Sequence, residues 1–117
     1  MGAIGLKPTD DPTLASIRER RRAGSLEGKE GFLYVITNAA WTGYLKVGHA
    51  VDYEDRLNTY QTSDPFRRYK LDFSWYFRDR IAAERDVHRL LLPWWKGGEW
   101  FLVDKHEAIA AIKRINR

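Results

Sequence analysis

Six consecutive residues, Phe32–Leu33–Tyr34–Val35–Ile36–Thr37, are apolar or β-branched without a polar face, and this run constrains the fold more than any other feature of the chain. A strand wetted on one side alternates, whereas a strand with no polar side must be covered on both faces. The chain therefore needs a sheet with helices on each side. Tyr44–Leu45–Lys46–Val47–Gly48 alternates as a half-buried strand, and the Asn38–Gly43 loop carries the turn residues that would join the two as a hairpin. Tyr69, Leu71, Phe73, Trp75 and Phe77 alternate with Lys70, Asp72, Ser74 and Tyr76 as a third strand. Asp52 can cap a helix running to about Gln61, with Tyr53, Leu57 and Tyr60 facing inward. A further helix runs from about Asp79 to Leu92 and stops at Pro93. Glu99–Val103 reads as a short extended piece, and Lys105–Ile115 as a last helix. The expected fold is α/β (α+β): a small domain with a central three-stranded β-sheet flanked by helices.

A chain of 117 residues is the size of one such domain. It contains no cysteine, which excludes disulfides, thiolate nucleophiles and cysteine-ligated metals. No apolar run approaches the ~20 residues of a membrane span, and the N-terminus lacks the apolar stretch of a signal peptide. The expectation is a cytoplasmic protein without membrane contact. The net charge of +4 is concentrated in Arg18 and Arg20–Arg22, in Arg67, Arg68 and Lys70, and in Lys113, Arg114 and Arg117. Basic patches with aromatics between them suit DNA, although solvated faces carry the same pattern. Residues 1–30 read as a basic arm: a short helix capped by Asp10 or Asp11, with Pro12 in its first turn, Leu14 and Ile17 as anchors and Gly24 as its stop. Such an arm could lie on DNA, pack on the domain or extend into solvent. Residues 31–117 read as the domain proper.

One residue stands in the wrong place. At about 100° per residue, Ala83, Val87, Leu90, Leu91, Ile81 and Leu92 line one side of the helix after Asp79, and Arg85, Asp86 and Arg89 the other. Glu84 falls inside the apolar arc, between Leu91 and His88. A carboxylate there must be paired, protonated or bound to a cation, because an isolated buried charge is costly. An internal ion pair with Arg56 is the plain explanation, and a hydrogen-bonded core histidine the plain explanation of His88.

The wider constellation offers another. Phe32–Leu33–Tyr34 on the first strand, Lys46–Val47–Gly48 on the second, Arg56 eight residues beyond Gly48, Tyr60 four beyond that, and Glu84 on a later helix stand in one order. Together they resemble the GIY-YIG nuclease superfamily, and within it the branch common in phage and bacterial open reading frames, where lysine replaces the second motif tyrosine. The pairing of Glu84 with His88 and the Glu99–Trp100–Phe101 segment are similar to that branch as well. The resemblance runs from Gly31 to Ile115. The first motif keeps its tyrosine but has Phe32 where the family has glycine.

The resemblance implies a divalent-metal-dependent DNA endonuclease with Glu84 as the metal ligand for Mg²⁺ or Mn²⁺, Arg56 as the transition-state arginine, and Tyr34 as base or proton relay. A single carboxylate leaves such an ion most of its waters, and a guanidinium matches a phosphate and keeps its proton. A phenol is a poor base at neutral pH unless positive charge lowers its pKa, and Lys46 on the neighbouring strand is the candidate for that charge. Tyr60 shares the pocket face of Arg56. Gly48 lets the backbone approach the phosphate, and His49 and His88 are the candidate substrate contacts. The Trp94, Trp95, Trp100 and Phe101 rings read as packing, whereas Trp41, in the first loop, is the aromatic best placed to touch DNA. No organic cofactor is expected. One such site cuts one strand, so duplex cleavage would need a homodimer or two successive nicks. The alternatives are a catalytically inactive nucleic-acid-binding module on the same fold, or a docking protein using its Trp-rich C-terminal half.

Overall fold

The first strand, β1 (Gly31–Asn38), is buried along its whole length except for the half-buried Thr37, and its neighbours on both sides explain why. The computed structural model describes residues 12–117. In it β1 lies between β2 (Tyr44–Ala50) and β3 (Tyr69–Phe77), antiparallel to each. Leu33 and Val35 point into the larger core, built with α3 (Arg80–Leu90) and α4 (Lys105–Lys113) through Val87, Leu91, Ala108 and Ile112. Phe32, Tyr34 and Ile36 point to the opposite face. There they meet α1 (Leu14–Arg22) and α2 (Tyr53–Gln61). Among the described residues the chain is thus a mixed α+β domain with four helices.

The sheet has five strands, not three, in the order β3-β1-β2-β5-β4. The two additions are β4 (Trp95–Gly97) and β5 (Trp100–Leu102), which follow a 3-10 turn over Leu92–Trp94. β5 falls inside the extended piece expected over Glu99–Val103, whereas the three residues of β4 are too short for alternation to reveal. Their hairpin turns on Gly97 and Gly98, at φ of 120° and 54°, a left-handed backbone that glycine adopts without penalty. β5 pairs with β2, Trp100 opposite Lys46, and the Val47 amide donates to the Glu99 carbonyl at 3.0 Å.

The third strand departs from simple alternation. Val35 pairs with Phe73 but Ile36 with Leu71, so Asp72 is an extra residue in β3. The bulge moves Tyr69 and Leu71 to the Tyr34 face while Phe73 and Phe77 enter the larger core. Asp72 itself is nearly buried, accepts a hydrogen bond from Thr37 and lies 3.6 Å from both Lys70 and Lys105.

Helix α1 packs on the domain. Leu14 and Ile17 are buried against Phe32. Thr13 caps the helix, its Oγ1 accepting from the Ser16 amide at 3.1 Å, whereas Asp10 and Asp11 lie outside the described residues. The Arg18 guanidinium meets Asp52 at 2.5 Å and Glu54 at 3.0 Å, and Arg20 meets Glu30 at 2.7 Å. Part of the basic cluster is therefore neutralised within the fold.

The Arg20–Glu30 pair is the best-built of these contacts. Glu30 is almost fully buried and also accepts from the Tyr76 hydroxyl at 2.7 Å and from the Glu27 amide at 2.8 Å. Arg20 above all, with those donors, holds the Glu30 carboxyl down to about 2. Its folded value lies below the unfolded one, so its stabilisation is complete above about pH 4.5 and is lost as the pH falls toward 2. Arg20→Ala would strand a buried carboxylate. The expected loss is about 3 kcal/mol in urea unfolding at neutral pH, together with a flatter fall in stability between pH 4.5 and 2.

Candidate active site

Antiparallel pairing of β1 with β2 places Tyr34 directly opposite Gly48. Tyr34 is fully buried, and its ring fills the space that a side chain at 48 would occupy. One turn after Arg56, α2 presents Tyr60, and the β4–β5 hairpin brings in Glu99. The three polar tips converge: the Tyr34 and Tyr60 hydroxyls are 2.9 Å apart, and Glu99 Oε1 accepts from Tyr34 at 3.2 Å and from Tyr60 at 3.0 Å. Three short contacts share two phenolic protons, an arrangement in which a proton can pass from one oxygen to the next.

Lys46 stands on the rim of this cluster. Its ammonium lies 4.1 Å from the centre of the Tyr60 ring and 5.0 Å from that of Trp100. Burial lowers its pKa, and the charge of Glu99 opposes that shift. The expected effect of Lys46 on Tyr34 is not what the geometry provides. Burial first, then the bond to Tyr60 and the charge of Glu99, push the Tyr34 phenol above its usual range, and only Arg56 pulls it down. Tyr34 therefore stays protonated at neutral pH. Tyr60 is also raised, again by burial first.

Glu84 projects from the buried side of α3 with its side chain 20% exposed. The apolar arc around it is narrower than the periodicity indicates: Ala83, Val87 and Leu91 are buried, but Ile81, Leu90 and Leu92 face solvent. The expected ion pair with Arg56 is absent. Among the described residues the nearest partner is His49, whose Nε2 lies 3.9 Å from Oε1, and Oε2 is buried with no hydrogen-bond partner. Burial raises the Glu84 pKa, while the His88 and Arg56 charges act in the opposite direction. Arg80, the first residue of α3, donates from Nε to His49 Nδ1 at 3.2 Å and from Nη1 to the Glu30 carbonyl at 3.2 Å. Burial, and then Arg80, lower the His49 pKa.

Beside this pair opens a cleft of about 350 Å³ lined by Arg21, His49, Asp52, Arg56, Thr59 and Arg80. Asp52 is engaged by Arg18, whereas Arg21 and Arg56 form no ion pair among the described residues. Its three arginines, Arg21, Arg56 and Arg80, outnumber its two carboxylates, Asp52 and Asp55, so the cleft is basic. His88 does not line it. It is half-buried, its Nε2 lies 2.7 Å from the Val47 carbonyl and its ring meets Phe101 edge-on at 4.9 Å, so it stands apart from this cleft.

Tyr34, Lys46, Gly48 and Tyr60 thus form one cluster, and His49, Arg56 and Glu84 gather beside it. Three further residues belong to the site: Glu99, noted in the sequence only as part of the Glu99–Trp100–Phe101 resemblance, Arg21, noted only as part of a basic patch, and Arg80, which was not picked out. Gly97–Gly98 was the available signal for Glu99, because a tight turn there folds Glu99 back onto β2. Nothing in the sequence singles out Arg80 or Arg21 among the other arginines. Among the described residues no three His, Asp or Glu side chains form a metal cage, and no helix is long and apolar enough to cross a membrane.

These features define a small α+β domain with a phenol–carboxylate cluster beside an arginine-lined cleft. The T5orf172 domain model matches residues 31–116, and the chain belongs to that domain family. The comparison with curated proteins and that with solved structures each gave no match.

Proposed function

We propose that the protein is a divalent-metal-dependent DNA endonuclease of the GIY-YIG type, hydrolysing phosphodiester bonds in the cytoplasm. The observation that carries this reading is Glu84 Oε2, a carboxylate oxygen buried without a partner. Leaving such an atom unsatisfied costs about 1–3 kcal/mol or more, and a hard cation bound through this one ligand, with water completing its shell, would satisfy it. Mg²⁺ accepts that arrangement and Mn²⁺ can replace it. When bound, the ion supplies charge neutralisation at the phosphate and at the leaving oxygen.

The side chains supply the rest. Arg56, free of any carboxylate, offers its planar fork to the phosphate and stabilises the charge that develops there. Arg80 orients His49 at the same cleft. Tyr34 acts as a relay and not as a free phenolate: its oxygen takes a proton from the attacking water as its own proton passes to Glu99, directly or through Tyr60. Glu99 is then the final proton acceptor, the hydroxide forms the new bond to phosphorus, and the bond from phosphorus to the 3′ oxygen breaks, that oxygen leaving with the electron pair. Lys46 holds the Tyr60 ring in place. Phe32, where the resemblance expects glycine, packs edge-on against Tyr53 and Tyr76 and against α1. Its presence is therefore accounted for by the α1 interface, without assuming a lost activity.

Supercoiled plasmid with Mg²⁺, Mn²⁺ or EDTA tests the proposal. Nicking by the wild type only in the presence of metal, and none by Glu84→Gln, is the expected result. DNA binding of equal strength in EDTA with no cleavage in either metal would favour the inactive binding module instead. Glu99→Gln keeps the shape of the hydrogen-bonded cluster but loses the acceptor. Its single-turnover rate should fall about a hundred-fold with little change in DNA affinity.

A further inference from the structure

A second cleft opens at the end of the sheet where β1 runs out and β2 and β3 begin. It encloses about 490 Å³ and is lined by Trp41, Tyr44, Tyr69, Lys96 and Trp100. Trp41 is 47% exposed and Tyr44 38% exposed, so both rings show their faces to solvent at the price of hydration. The Trp41 ring stands at 78° to Trp100 with centroids 5.7 Å apart, and at 54° to Tyr69 with centroids 6.2 Å apart. At these separations Trp41 touches both rings edge-on or tilted, so the three form a continuous aromatic wall whose open side faces the cleft. Among the described residues no carboxylate lines the cleft and Lys96 is its only charged group, which suits an anionic ligand and not a cationic one. The walls run into the candidate active site: Tyr69 lies 5.5 Å from Tyr60, and Lys46 sits between the Tyr60 and Trp100 rings.

Flat π faces with a cation at the rim are the chemistry that receives a nucleobase and its phosphate. We infer that this cleft binds an unpaired nucleobase of the DNA strand being cut, next to the nucleotide whose phosphate lies at Arg56. A paired base is held in its own stack and cannot reach the cleft without being extruded. The preferred substrate class is then DNA with unpaired nucleotides beside the scissile bond, such as a flap, a bubble or a single strand. This rests on the endonuclease reading above, and it adds the substrate that the reading leaves open.

The test uses the whole protein in EDTA, where binding proceeds without cleavage. The probes are a fully paired DNA and the same sequence with a short unpaired stretch carrying 2-aminopurine, whose emission falls when it stacks on an aromatic ring. The expected result for the wild type is tighter binding of the unpaired probe with quenched emission. Trp41→Ala should bind that probe about ten-fold more weakly, the loss of one base stack, and should lose most of the quenching. Trp41→Phe, which keeps a π face, should retain most of it. Emission unchanged at saturating wild-type protein would overturn the inference, even if Trp41→Ala failed to fold. So would equal affinity and equal quenching by a folded Trp41→Ala. Plasmid nicking is read separately: if it persists while the quenching is absent, the base site alone fails, and if the wild type cleaves no DNA of either form in Mg²⁺, the endonuclease reading fails.

Discussion

Glu84→Gln should produce a protein that cleaves DNA about a thousand-fold more slowly or worse, yet in EDTA is more stable than the wild type. The two halves of this result share one cause. In the fold without metal, Glu84 carries a desolvated carboxylate with one oxygen unpartnered and a single histidine at 3.9 Å. Burial has already pushed its pKa upward, which is the signature of a charge that the fold does not satisfy. A neutral amide of the same shape is cheaper to bury, so stability in EDTA should rise by about 1 kcal/mol. Adding Mg²⁺ should raise the melting temperature of the wild type by mass action and leave Glu84→Gln unmoved. Thermal melts of both proteins, with and without metal and beside the nicking assay, decide the matter. A structural ion pair at Glu84 would give the opposite sign, because removing one member of a pair destabilises. A variant less stable than the wild type in EDTA would therefore remove the case for a metal ligand.

What could be read from the sequence followed how far each feature depends on local periodicity. Phe32–Thr37 required cover on two faces, and β1 has it. Asp52 capping α2 and the inward set Tyr53, Leu57 and Tyr60 follow from spacing alone, and the helix shows them. Glu84 was visible because a charge inside an apolar arc is an anomaly at any level of detail. The misses depend on contacts between distant segments. The extended piece over Glu99–Val103 contains β5, but three-residue strands carry no period, so β4 and the pairing of β5 with β2 that brings Glu99 to Tyr34 were not visible. The alternation of Tyr69 to Phe77 hides a bulge at Asp72, because an extra residue changes the face without changing the composition. The hydrogen bond read at His88 exists, but its partner is a backbone carbonyl, which no residue type announces. In α1, Arg18 and Arg20 look like part of a DNA-binding patch until Asp52 and Glu30 are found opposite them, whereas Arg21 stays at the cleft.

Gly48 shows how tightly the fold and the chemistry are joined, and Gly48→Ala is expected to damage both. A Cβ built there would lie 2.6 Å from Tyr34 Cζ and closer still to the Tyr34 hydroxyl and Glu99 Oε1. The ordinary escape is for a neighbouring side chain to swing away. Tyr34 is fully buried between β2 and β3 and has nowhere to swing, so the methyl group must separate Tyr34 from Glu99 or push β2 away from β1. Overpacking of this kind costs about 1–3 kcal/mol. A displacement of about 1 Å in the relay is enough to slow the chemistry about a hundred-fold. Urea unfolding and single-turnover cleavage of the same preparation should show both losses together. The tyrosines supply a further readout: with the Tyr34–Glu99 contact broken, the near-ultraviolet signal of the buried phenols should change although the far-ultraviolet spectrum does not. Serine at 48 should be no better than alanine, because its Cβ meets the same atoms. If Gly48→Ala were as stable and as active as the wild type, the Tyr34–Glu99 contact could not be the route of the proton.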